Sequence, residues 1–149
     1  MYIFETYVQA SCQEKYCNML VSSGVVPTIL ILAELGDDAL RHVCAMTLTN
    51  LTFNSGGTEG DENIVLFGVL PVISVIVSCA TRVDTLCYCI LCLSNLAQVF
   101  DGGDSVIAVR MLLNLATRLE VMTNLDNAIF LTDILKNVSR ITVSTNSYQ

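Results

Sequence analysis

Seven cysteines, one histidine and three asparagines in matching surroundings are the residues of this 149-residue chain whose types could do chemistry. Cys87-x-Cys89-x-x-Cys92 has the look of a zinc motif. On a helix, however, Cys87 and Cys89 point about 200° apart and cannot share a tetrahedral ion. Cys89 and Cys92 instead fall on an apolar stripe and read as small core thiols. His42 is the single histidine, and Cys44, two residues on, lies near the opposite helix face, so neither a Cys–His pair nor a triad is expected. No phosphate-cradling glycine loop, H-E-x-x-H or G-x-S-x-G occurs. The chain is therefore not expected to be an enzyme, nor to need a metal or cofactor. The asparagines remain. Each carboxamide offers both a donor and an acceptor, and Asn50, Asn95 and Asn137 sit in the related strings LTNLT, LSNLA and LKNVS.

Elements that would position these asparagines repeat along the chain. LVSSGVVPTILIL from Leu20 aligns with IVLFGVLPVISVI from Ile64, so that Gly24 and Gly68, like Pro27 and Pro71, are 44 residues apart. Asn50 and Asn95 are 45 apart, Asn95 and Asn137 are 42 apart, and a period of roughly 40–47 residues marks a helical repeat array. In each copy a short apolar segment ends at Gly, and Pro opens a helix in the first turn, where its missing N–H costs nothing. A polar loop and a longer helix follow. With the Asn as zero, positions −7, −6, −3, −2 and +1 are Val43, Cys44, Thr47, Leu48, Leu51, then Tyr88, Cys89, Cys92, Leu93, Leu96, then Phe130, Leu131, Ile134, Leu135, Val138. At 100° per residue they share one arc of about 140°, the buried face of an amphipathic helix, with the Asn at its edge. Gly-rich acidic stretches at 54–62 and 101–104 close the first two long helices. Repeats are expected at about 17–61, 62–103 and 104–143 of a single domain covering 1–149.

Composition narrows the classes. Hydrophobic residues make up 53% and charged residues 14%, which excludes disorder. Seven scattered bases against fourteen acids argue against nucleic acid. An odd cysteine count in apolar runs favours a reducing compartment, the cytoplasm or nucleus, over a disulfide framework. The first residues, MYIFETYVQASCQEK, show no basic region followed by an apolar core. The rival class is a polytopic membrane protein, since uncharged runs span 16–33, 63–81 and 85–100. Polar residues within those runs, the lack of tryptophan belts and basic flanks, and the unexplained repeat register weigh against it.

A unit of this length, with Gly24-Val25-Val26-Pro27 and Leu48-Thr49-Asn50-Leu51, then Gly68-Val69-Leu70-Pro71 and Leu93-Ser94-Asn95-Leu96, resembles the armadillo repeat over about residues 17–143. The third copy departs from the pattern: Arg110 and Leu113 stand where Gly and Pro would fall, so its first two helices are merged or differently phased. The resemblance implies an all-α, right-handed α-solenoid, an armadillo-like superhelix, whose third helices line a concave groove. There Asn50, Asn95 and Asn137 would bond the backbone of a bound peptide; the alternative is that each bonds a neighbouring repeat and holds the stack. In the nuclear-import adaptors of this family a Trp four residues before the Asn forms a pocket for a lysine stem. Here that position is Met46, Leu91 and Asp133, and the chain has no Trp. Met46 and Leu91 point instead to an apolar anchor on the partner. The expected function is a non-catalytic protein-interaction module or scaffold, its partner basic by overall charge or carrying an apolar anchor. Apolar ends read as a solenoid fragment, or as surfaces that stack on further repeats.

Overall fold

A computed structural model describes residues 14–54, 64, 68–97, 99, 100, 102–123, 132, 134 and 136–141. Among the described residues all regular structure is helical: α1 (Glu14–Ser22), α2 (Val25–Leu35), α3 (Asp38–Asn54), α4 (Val69–Cys79), α5 (Val83–Leu96) and α6 (Gly102–Thr123), with further helix at 136–141. Several sequence expectations (Cys12, the 55–63 loop, Asp101, Phe130, Leu131, Asp133 and Leu135) lie outside the described residues.

The two Gly-x-x-Pro segments explain the helix starts. Gly24 precedes α2 at φ 89° and Gly68 precedes α4 at φ 96°, a backbone region that costs an L-residue strain and glycine almost nothing. The break at Gly24 bends α1 against α2 by 74°. Pro27 and Pro71 then occupy the third helical position, where no intrahelical acceptor awaits the missing N–H. Asp37 caps the next helix, its Oδ1 accepting the Leu40 N–H at 2.9 Å.

Equivalent helices pack on equivalent helices. α2 lies against α4, and α3 makes its most extensive contact with α5, while each also packs on its own sequence neighbour. α6 covers α4 and α5. Where the third copy lacks Gly and Pro, α6 runs unbroken for 22 residues, in contrast to the break between α1 and α2 at Gly24. Arg118 of α6 reaches back to donate its Nη2 to the Ala80 carbonyl at the α4–α5 corner. One hydrophobic core runs from Cys17 and Val21 of α1 to Ile134 and Ile141.

The buried arc is displaced from the sequence expectation. Positions −6, −3, −2 and +1 are buried in both α3 and α5, but Val43 and Tyr88 at −7 are only half-buried. Ala45 and Ile90 at −5 and Thr52 at +2 are buried instead. The arc is rotated by roughly 50° at 100° per residue, because each long helix is covered from two sides, by its own repeat and by the next. The Asn position therefore stands on the half-buried flank.

Among the described residues no single helix is long and apolar enough to cross a membrane; only the bent α1–α2 pair has the length and composition together.

Candidate functional site

The flank of α3, α5 and 136–141 that carries the asparagines has two unlike halves. Between α3 and α5 the polar groups find each other. The Asn95 Nδ2 donates to Thr52 Oγ1 at 3.1 Å and lies 3.5 Å from the Thr49 carbonyl. The Thr52 hydroxyl in turn donates to the Thr49 carbonyl at 3.0 Å. The Thr49 hydroxyl lies 2.8 Å from the Ala45 carbonyl and 3.0 Å from that of Tyr88. Further up, His42 Nδ1 shares a 2.8 Å hydrogen bond with Thr85 Oγ1, and its ring meets Tyr88 edge-on. At the top Asp38 accepts the Thr81 N–H at 3.0 Å and the Thr81 hydroxyl at 2.6 Å. Those bonds hold the Asp38 carboxyl below its ordinary range.

Asn137 meets the opposite fate. It is 3% exposed, and among the described residues its Oδ1 has no hydrogen-bond partner. Leaving a buried acceptor unmatched costs about 1–3 kcal/mol. The engaged atom of Asn95 is instead its donor, the Nδ2 that meets Thr52 Oγ1. Asn137 lines a pocket of about 220 Å³ with Ile90, Leu91, Ser94, Lys136 and Arg140. Ile90 and Asn137 are its buried floor; Lys136 and Arg140, exposed and one helical turn apart, stand at its rim. Among the described residues no carboxylate pairs with either cation.

Leu91 also lines a second, open groove of about 770 Å³ along the outward face of α5, with Arg82, Val83, Asp84, Cys87 and Tyr88. The wall is almost wholly apolar; its charges, Arg82 and Asp84, neutralise one another at 2.6 Å. The Arg82 hydrogen bond keeps the Asp84 carboxyl low.

The five residues singled out by sequence are thus dispersed in role. Leu91, 51% exposed, joins both cavities. Asn137 is at the floor of the smaller one, and Asn95 is engaged with α3. Asn50 and Met46 are half-buried on α3, and neither lines either cavity. Sequence reasoning passed over Ser94, Lys136 and Arg140. The signal was present in Lys-Asn-x-x-Arg, which sets two cations at i and i+4 astride the third Asn, but bases counted as scattered concealed it.

Among the described residues no three His, Cys, Asp or Glu side chains gather as metal ligands. Among the described residues the six cysteines form no disulfide, and Cys17, Cys44, Cys89 and Cys92 are buried. Burial pushes the Cys44 thiol up to about 11 and the Cys89 thiol further, the reverse of what a nucleophile needs. No protein-family model, curated protein or solved structure matches the chain.

Proposed function

We propose that this chain is an armadillo-like right-handed α-solenoid that works as a non-catalytic interaction module, binding a partner segment along the flank of α3, α5 and 136–141. One observation carries the proposal: helices about 44 residues apart in sequence pack on one another, α2 on α4 and α3 on α5, through a single continuous core. Such stacking leaves one long-helix flank uncovered, and on α5 that flank holds the apolar groove around Tyr88 and Leu91. An apolar concavity of this size with polar groups at its margin suits a protein segment. The raised, buried thiols speak against thiol chemistry and fit a reducing compartment, cytoplasm or nucleus. The work of such a site is binding rather than catalysis.

The test is selection of a phage-displayed random peptide library on the immobilised full chain. Peptides recovered should bind the wild type and lose affinity at least about tenfold for Leu91→Gln, with an unchanged melting temperature. Failure to enrich any peptide, or peptides indifferent to Leu91→Gln, overturns the groove.

A further inference from the structure

We propose that the chain associates head to tail with a second copy of itself, the outward face of α6 on one copy covering the exposed face of α2 on the next. These surfaces are the two ends of the helical stack, and neither includes a residue of the groove around Tyr88 and Leu91.

The repeat register shows what the α2 face lacks. α4 has α2 before it and α6 after it, whereas α2 has its equivalent, α4, on one side only. Positions 44 residues apart locate the difference. Val72 and Ile76 of α4 are fully buried; their counterparts on α2, Thr28 and Leu32, are exposed and half-buried. Beside them Ile31 is 55% and Leu35 82% exposed. At 100° per residue Thr28, Ile31, Leu32 and Leu35 share one arc of about 100°. On α2 the strip that α4 hides beneath a preceding helix is therefore in water.

The surface that fits it is on the same chain. α6 turns Ala108, Leu112, Leu115 and Leu119 into the core, while Val106, Ile107 and Leu113 stand exposed on its opposite side. α6 follows α4 in the stack as α4 follows α2, so this outer side is the one that a further repeat covers. A free-standing array carries a polar outer face on its terminal repeats; here both ends are apolar. Charge then matches one end to the other. Exposed Glu34 lies between Ile31 and Leu35, and exposed Arg110 between Val106 and Leu113. Neither has an oppositely charged partner among the described residues. Head against tail pairs acid with base, whereas head against head or tail against tail sets like charges together. A contact between unlike faces leaves one of each free, so assembly continues past the dimer.

The test is sedimentation velocity of the full chain over a wide range of concentration. The weight-average mass should rise with concentration beyond that of a dimer. Leu35→Asp and Leu113→Asp change side chains already in water, so the melting temperature should hold, and each should weaken association at least about tenfold. Mixing these two variants is the sharper measurement. One keeps an intact tail and the other an intact head, so together they should form a dimer that neither forms alone and that grows no further. Glu34→Arg and Arg110→Glu should each weaken assembly, and the double variant should restore it. A chain that stays monomeric at every concentration, or whose association ignores both Asp substitutions, overturns the inference. Failure of the mixed variants to pair overturns it as well, since like faces would then be meeting.

Discussion

The α3–α5 interface and the flank between α5 and 136–141 are built on the same register, yet one is stitched and the other is open. At the first, Asn95, Thr49, Thr52, His42, Thr85, Asp38 and Thr81 form cross-repeat bonds between residues 39 to 46 apart. At the second, the equivalent Asn137 has an unmatched oxygen beside a pocket. The two asparagines differ in the atom at stake: the Asn95 Nδ2 donates to Thr52 Oγ1, whereas the Asn137 Oδ1 is a buried acceptor that meets no donor among the described residues. The comparison teaches that an asparagine's place in a repeat does not fix its role; the groups packed around its carboxamide do. Satisfied, it rigidifies the stack. Unsatisfied, it leaves a buried acceptor unmatched.

The largest effect should come from the core that both interfaces share. Leu93 is fully buried beneath them, and Leu93→Ala should cost about 3 kcal/mol in urea denaturation; a loss below 1 would mean that the two interfaces do not rest on one core. Alkali should come next and act on the buried side of the stitched repeats. Burial raises the folded-state pKa of Cys44 from an ordinary 9.0 to about 11. Protonated-thiol stability is therefore complete below about 9 and is lost as pH rises through about 11, by about 2 kcal/mol for such a shift. A melting temperature constant from pH 8 to 11 would contradict it.

Thr52→Val keeps the shape and removes the acceptor of Asn95, and should cost about 1–2 kcal/mol. Its mirror image is Asn137→Leu, which removes an unmatched buried acceptor and should gain about 0.5–1 kcal/mol in urea denaturation. Equal and opposite signs sharpen the comparison; two losses of similar size would break it. Least of all should follow from Arg82→Ala, since its ion pair with Asp84 is solvent-exposed; a change beyond about 0.5 kcal/mol would be unexpected.

Much of the architecture was legible beforehand. Gly24 and Gly68 with the prolines three residues on announced two helix starts, because left-handed φ and a missing N–H are local constraints that need no neighbour. Arg110 and Leu113, in place of Gly and Pro, announced helices either merged or differently phased, and α6 is continuous there. Legibility failed where a helix is covered from two sides. A single periodicity placed Val43 and Tyr88 centrally and left out Ala45 and Ile90, since one helix read alone carries no information about the direction from which the next repeat approaches. The site was legible in part: Asn137 and Leu91 were singled out, whereas Ser94, Lys136 and Arg140 were passed over.

Sequence by itself therefore determined the helical class, the period near 44, the helix starts and the identity of the three asparagines, all of which follow from short-range backbone chemistry and spacing. Only the tertiary structure decided which asparagine is consumed by its neighbour and which is left with an open acceptor. Hydrogen bonding across a repeat interface depends on a donor and an acceptor some 43 residues apart arriving within about 3 Å. The pocket that Leu91, Ser94 and Asn137 line exists only once α5 and 136–141 share a wall.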